Sequence, residues 1–289
     1  MRPGFLWLAM MVMALTSCLD EPEMLNDDPV IEQYLQNNSL NGEKNEYGVY
    51  VVELSPGVDG TEVAINSIVE TDLEFQLLDG TRILKRDSYT FSPATGAMLR
   101  GGLSGGVIGL EEGGRYQLVV PSNMAYGEQS GNIGNVFIES NSIISAFVDI
   151  VDIRTDQQQI QHENMLVQAY IAANSLDSAG PVAPAEAGWY KITLAQGDTA
   201  SGNPAEFSQV DLAYTGTLLD GEQFDSSNNA RFTLSSQGLI QGFYQGVRSM
   251  NKGEEAIFII PSRLAYGPTG QSGIPPFAPL VFRIELIDF

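Results

Sequence analysis

Three stretches decide the fold of this chain: YTGTLLDGEQFDSS from Tyr214, GLIQGFYQGVRSMNKGE from Gly238 and IPSRLAYGPTGQSGIPPFAPLVF from Ile260. They alternate strand-like apolar residues with turn glycines, a pattern that predicts a small antiparallel sheet. The sheet would gather five rings around one cleft, namely Tyr214, Phe224, Phe243, Tyr266 and Phe282. Such a cleft would suit a proline ring.

These stretches resemble the FK506-binding protein (FKBP) family of peptidyl-prolyl isomerases, with the motifs in family order from Val210 to Phe289. The resemblance implies an α+β domain in which a twisted antiparallel sheet wraps a short helix, with the active cleft between them. It implies proline-containing polypeptides as clients. It also implies that no cofactor and no metal takes part.

The resemblance assigns roles to individual residues. The implied catalytic residues are Tyr214, Phe224, Asp225 and Tyr266. The implied substrate-binding residues are Leu239, Ile240, Phe243, Phe282 and Ile274. Phe243 would form the cleft floor, where most relatives carry Trp, and the Ile240 backbone N–H and the Tyr266 hydroxyl would hold substrate carbonyls.

Two positions depart from the family pattern. Ala230 occupies a flap position where animal members often carry an aromatic residue, and Gln271 occupies a loop position often held by His. The first departure should loosen one wall of the pocket and weaken binding of the family's macrolide inhibitors.

The implied chemistry needs no nucleophile. An Xaa-Pro bond isomerises over a barrier of roughly 18 to 20 kcal/mol. The twisted transition state loses amide resonance and polarity, so a water-poor aromatic pocket favours it over the planar ground state. Asp225 would polarise or orient the reacting amide. The alternative is structural, because aromatic residues in strands are usually core and an Asp in a turn often caps its own backbone.

The N-terminus, MRPGFLWLAMMVMALTSC, has a basic start at Arg2, an apolar run from Phe5 to Leu15 and small residues before Cys18. This pattern predicts a secretory signal peptide over residues 1–17, since a spanning helix needs about 20 apolar residues. The last four residues resemble a bacterial lipobox, which implies a lipid on Cys18. Ordinary signal cleavage beside an incidental Cys is the alternative. Residues 18–28 would form an acidic tether, with the protein anchored in the outer membrane and facing the periplasm or the cell surface.

Composition excludes several functions. The 36 acidic and 14 basic residues give a net charge of -22, which argues against binding nucleic acid or anionic lipid head groups. A single cysteine permits no intrachain disulfide or CxxC pair. The lone His162 leaves no Ser-His or Cys-His arrangement and no cluster of zinc ligands.

The first half of the chain repeats the second. VIEQYLQNNSL at Val30 parallels LVQAYIAANSL at Leu166, and LEEGGRYQLVVPSNMAYG at Leu110 parallels MNKGEEAIFIIPSRLAYG at Met250. We therefore predict two FKBP-like domains, each preceded by a short N-terminal helix of about ten residues. The predicted boundaries are 29–154 for the first domain with its leading helix, 155–188 for a helical linker and 189–289 for the isomerase domain. Residues 154–161 and 177–188 are polar, which predicts mobility between the domains.

The first copy has lost the cleft residues. The repeat places Leu73 at Tyr214, Ile83 at Phe224, Leu84 at Asp225, Arg100 at Ile240, Leu103 at Phe243 and Ala146 at Phe282. Only Tyr126 persists, at the position of Tyr266, and the following loop is longer and lacks prolines. The sequence therefore predicts an isomerase of exported proteins that acts through its C-terminal domain only. The first domain would be a spacer, a dimerisation surface or a weak chaperone platform. A module that binds proline segments without turnover is the competing hypothesis.

Overall fold

The computed structural model describes residues 26–58, 60–96, 98–176 and 188–289. The predicted signal peptide, the predicted lipidation site Cys18 and most of the acidic tether lie outside the described residues, as does the segment 177–187. In the part that is described, no helix combines the length and apolar character needed to cross a membrane.

The N-terminal half forms a six-stranded antiparallel sheet and two helices. The sheet strands are β1 (Gly42–Lys44), β2 (Tyr50–Ser55), β3 (Ile68–Leu77), β4 (Arg82–Phe91), β5 (Arg115–Val120) and β8 (Ile144–Arg154). A separate hairpin consists of β6 (Gly131–Ile133) and β7 (Val136–Ile138), and the helices are α1 (Asp28–Asn37) and α2 (Gly102–Val107). The strand order is β1-β2-β5-β8-β3-β4.

The C-terminal half repeats this plan with five strands. They are β9 (Tyr190–Ala195), β10 (Gln209–Leu218), β11 (Gln223–Thr233), β12 (Glu255–Ile260) and β13 (Leu280–Asp288). Helix α3 (Asp156–Ala173) precedes the sheet and α4 (Gln241–Arg248) lies between β11 and β12. The order β11-β10-β13-β12-β9 equals that of the first sheet without β1. The predicted α+β architecture, an antiparallel sheet around a short helix in each domain, is confirmed.

Strand alternation gives each sheet two buried faces. In β12, Phe258 and Ile260 enter the core shared with α4, while Ile259 enters a second cluster with Val167 and Ile171 of α3. Helix α4 lies close to the sheet because Gly242 has no side chain, since a Cβ there would collide with the Ile260 side chain. The sheet therefore carries α4 on one face and the leading helix on the other.

The link between the domains is more ordered than the sequence predicts. Helix α3 begins with a capping box, in which Thr155 Oγ1 accepts from the Gln158 N–H at 3.3 Å and Gln158 Oε1 accepts from the Thr155 N–H at 2.8 Å. Arg154 and Gln159 are buried and joined by a hydrogen bond. The sequence predicted mobility over residues 154–161, whereas the structure begins a capped helix there. Arg154 and Gln159 bond to each other in the interior, and Thr155 and Gln158 bond at the surface. The helix is also longer than predicted, at 18 residues.

The first domain begins earlier than its predicted boundary at residue 29. Helix α1 starts at Asp28, and Asp27 is buried with its carboxylate accepting from the Ser122 N–H at 2.7 Å. The last two residues of the predicted tether therefore belong to the folded domain.

Strand register supports the alignment of the two copies. Leu73 pairs with Val148 in the first sheet as Tyr214 pairs with Ile284 in the second. Ala146 faces Phe75 on β3, whereas its counterpart Phe282 faces Gly216 on β10. A phenylalanine in the first copy thus occupies the position of a glycine in the second.

Candidate active site

A cavity of about 420 Å³ opens in the C-terminal domain between the sheet and the start of α4. It is lined by Tyr214, Asp225, Phe232, Gln237, Gly238, Leu239, Ile240, Phe243, Tyr266 and Phe282. The residues come from β10, β11, the segment entering α4, α4 itself, the loop after β12, and β13. Its volume lies in the range of about 300 to 1,000 Å³ that is common for small-ligand pockets.

Phe243 is the centre of an aromatic cluster in this cavity. Its ring centroid lies 5.1 Å from that of Phe282, 6.0 Å from that of Tyr214 and 6.1 Å from that of Phe232. The three interplanar angles are 73°, 78° and 69°, the edge-to-face arrangement that aromatic pairs favour. Phe243 is only 5% exposed. It therefore forms the floor of the cavity.

One charged group stands at the edge of this apolar cavity. The Tyr214 hydroxyl donates to Asp225 Oδ2 at 2.7 Å. Burial, together with the hydrogen bond to Asp225, raises the pKa of Tyr214 to about 12, so the phenol stays protonated and keeps donating at neutral pH. Burial and the charge of Asp225 also raise the pKa of Tyr266. The carboxylate is thus placed beside two neutral phenols.

Ile240 is the residue directly before α4, at its N-cap position. Its carbonyl accepts from the Tyr244 N–H at 3.0 Å, while its own N–H lies before the helical hydrogen-bond ladder. An N–H in this position is suited to donate to a bound carbonyl group.

A family model described as FKBP-type peptidyl-prolyl cis-trans isomerase matches the chain twice, over residues 60–146 and 201–287. The chain belongs to this family. The FKBP-type peptidyl-prolyl cis-trans isomerase FkpA of Escherichia coli K12 is 41% identical over 87 residues, which are 29% of this chain and 32% of FkpA. Peptidyl-prolyl cis-trans isomerase FKBP9 of Rattus norvegicus is 32% identical over 226 residues, which are 76% of this chain and 34% of that protein.

A crystal structure of Escherichia coli FkpA is similar at 29% identity, with a TM-score of 0.39 over 46% of this chain and 61% of that one. The present chain spans about a third of the length of the curated FKBP relatives given above.

Seven of the nine residues predicted for the FKBP cleft line the cavity. Phe224 does not; its ring packs edge-on behind Phe282, with centroids 5.5 Å apart. Ile274 does not either, because reciprocal backbone hydrogen bonds of 2.9 and 2.8 Å with Gln271 close a turn that directs it into the core. These two residues support the cavity wall from behind.

Sequence reasoning missed Phe232 as part of the FKBP cleft. Its ring lies 5.9 Å from Tyr214 and packs on Phe243, so it supplies aromatic surface near Ala230, where the sequence predicted a loosened wall. The repeat carried a usable indication, because Phe91 occupies the same position in the first copy and is fully buried. Gln237 and Gly238, which precede the predicted Leu239, were also missed.

In the first FKBP domain the aromatic positions that wall the cleft are occupied by core residues. The counterparts of four aromatic lining residues are at most 2% exposed, namely Leu73, Phe91, Leu103 and Ala146. The counterparts Leu84 and Tyr126 are half-buried, and Arg100 is exposed. Phe75 is fully buried at the position of Gly216. A Cβ on Gly216 would lie 2.7 Å from the Phe224 ring and 2.9 Å from the Phe282 ring, so the second domain can keep those rings only with glycine there.

Proposed function

We propose that this chain catalyses cis-trans isomerisation of Xaa-Pro bonds in polypeptides, with the C-terminal cavity as its active site. The observation that carries the proposal is the aromatic cavity floored by Phe243, with the hydrogen-bonded pair of Tyr214 and Asp225 at its edge. Membership of the FKBP-type isomerase family supports the same activity.

The cavity suits this reaction because it separates an apolar floor from polar groups at the rim. The proline ring enters over Phe243, and the Tyr266 hydroxyl and the Ile240 N–H donate to carbonyl groups on either side of the bond. The twisted amide is less polar than the planar amide, so the water-poor site stabilises it preferentially. Asp225 orients the reacting amide electrostatically. Rotation about the C–N bond completes the reaction without a covalent intermediate.

We assign the activity to the C-terminal domain alone. In the first domain Leu84 stands at the position of Asp225, Leu73 lacks the Tyr214 hydroxyl, and Phe75 fills the position of Gly216. The candidate roles of that domain are a spacer, a dimerisation surface and a weak chaperone platform.

An Xaa-Pro peptide assay, protease-coupled or by NMR exchange, tests the assignment. We expect Tyr266→Phe and Asp225→Ala each to lower kcat/KM by about tenfold, because each removes one group that acts on the twisted amide. Tyr126→Phe is the matched control, since it removes the equivalent hydroxyl from the first domain and should leave the rate unchanged.

The outcomes separate the two functional classes. A wild-type protein that binds the peptide without accelerating isomerisation would support the binding-module hypothesis instead. Full activity in both cleft variants would show that the site assignment is incorrect.

We further propose that a lipid on Cys18 anchors the protein in the outer membrane and that exported proteins are its clients. The lipobox-like LTSC and the acidic stretch after it support this proposal. We expect Cys18→Ala to move the protein from the membrane fraction to the soluble fraction of the producing bacterium, whereas Ser17→Ala, which keeps a small residue, should not. Membrane retention of the Cys18→Ala protein would refute lipid anchoring.

A further inference from the structure

Helix α3 inserts a buried carboxylate into the C-terminal domain. Glu163 is 4% exposed, and its Oε2 accepts from the Ser262 N–H at 2.9 Å. Its Oε1 accepts from the Ser262 hydroxyl at 2.6 Å and from the Gln159 amide at 3.1 Å. Hydrogen bonds to a carboxylate are shorter and stronger than those between neutral groups. The energetic cost of burying this charge is therefore offset mainly by two hydrogen bonds from one residue, Ser262.

Ser262 opens the turn that carries Tyr266. A short 3-10 turn spans Ser262–Leu264, and the Ser262 carbonyl accepts from the Ala265 N–H at 2.9 Å. Tyr266 is the next residue, and it lines the cavity. Glu163 thus holds the backbone segment from which this tyrosine enters the cleft.

The same carboxylate is connected to the first domain. Gln159 also accepts from Arg154 Nη1 at 3.2 Å. Arg154, at the end of β8, is 6% exposed, pairs with Asp152 at 2.7 Å and forms a second ion pair with Glu70 on β3. A continuous path of polar contacts therefore runs from the first sheet through α3 to the turn before Tyr266.

The first domain contains a simpler version of this contact. Asp27, just before α1, accepts from the Ser122 N–H at 2.7 Å, and Ser122 opens the turn that leads to Tyr126. Since this domain has lost the cleft, the hydrogen bond from the Ser122 N–H to Asp27 serves to hold α1 against the domain. In the second domain Glu163 also accepts from the Ser262 hydroxyl, and Gln159 connects it to Arg154.

We infer that Glu163 is a positioning residue for the isomerase cleft, which sets the place of the Tyr266 hydroxyl and links that place to the first domain. This inference rests on the proposed function. Glu163 does not touch the cavity and acts only through the Ser262 turn, so its effect on the rate should depend on the presence of the Tyr266 hydroxyl.

A double-mutant cycle on the purified full chain tests the inference. We expect Glu163→Ala to lower kcat/KM by about tenfold when Tyr266 is present but by less than about twofold in a Tyr266→Phe background, because misplacing a group matters only while the group is there. Glu163→Gln, which keeps an acceptor for Ser262, should recover most of the loss. Asp27→Ala is the matched control in the first domain and should leave kcat/KM unchanged.

Three results would overturn the inference. They are an unchanged kcat/KM in Glu163→Ala, an equal loss of kcat/KM in both backgrounds, and no recovery of kcat/KM with Glu163→Gln.

The fluorescence of Trp189, which packs on Phe258, reports whether the C-terminal domain is folded. If Glu163→Ala does not fold, Ser262→Ala takes its place, and a loss of about threefold that vanishes with Tyr266→Phe is then expected. An inactive wild type would contradict the proposed function alone, and the cycle would then be scored on the Kd of an Xaa-Pro peptide.

Discussion

Transferring the core of the first domain into the second, as Gly216→Phe with Phe224→Ile and Phe282→Ala, is expected to abolish isomerase activity in a folded protein. These changes reproduce Phe75, Ile83 and Ala146. The new ring fills the space that opens when the two native rings are removed, so the cavity over Phe243 closes from behind. We expect kcat/KM to fall by roughly 100-fold or more, because the proline ring has no apolar site left.

The matched control omits the glycine substitution. Phe224→Ile with Phe282→Ala alone enlarges the cavity instead of filling it, and should retain part of the activity. Both proteins are compared with wild type in the Xaa-Pro assay, with Trp189 fluorescence to establish that the domain is folded. Activity in the triple variant equal to that of the control would show that Phe75 is not what closes the first cleft.

Phe258→Ala is expected to lower the free energy of unfolding of the C-terminal domain by roughly 3 to 5 kcal/mol, since it removes a fully buried ring. Phe258 lies 5.7 Å from the Trp189 ring and packs beneath α4, where a Cβ on Gly246 would come within 2.8 Å of it. The surrounding backbone cannot easily collapse into the cavity left behind. Denaturant unfolding followed by Trp189 fluorescence measures the change.

Leu118→Ala is the control for this prediction, because Leu118 faces Ala146 in the first sheet as Phe258 faces Phe282 in the second. It should destabilise the first domain by roughly 2 to 5 kcal/mol. The transition reported by Trp189 should shift much less than in Phe258→Ala. Equal shifts in the two variants would mean that the two domains unfold as one unit.

Most of the cleft was predictable because its residues lie in motifs with regular alternation. Phe232 was not, because β10 and β11 pair with register shifts between Leu212 and Tyr214 and between Gly216 and Thr217. A bulge changes which residues of a strand face the cleft, and simple alternation does not reveal it. The shift between Leu212 and Tyr214 lets Asp225 and Phe232, seven residues apart on β11, both line the cavity. Phe224 packs behind Phe282, as ordinary alternation from Asp225 requires.

The helix before each domain was predictable, but its connections were not. Apolar spacing indicated the Val167 and Ile171 face of α3, yet the polar residues at its start suggested solvent and mobility. Arg154, Gln159 and Glu163 are buried among them, because they have hydrogen-bond or ion-pair partners in two different domains.

Local pattern in the chain was sufficient for the family, the two-domain repeat and the loss of the cleft residues from the first copy, because alternation, turn glycines and motif order depend on near neighbours. Tertiary packing decided whether the cleft is open and how α3 is connected to it. Phe75 in the first domain stands where the second has Gly216, and this difference closes or opens the cleft because β11 and β13 bring the Phe224 and Phe282 rings against that position. The bond between Glu163 and Ser262 joins residues 99 positions apart, a distance over which no sequence period operates.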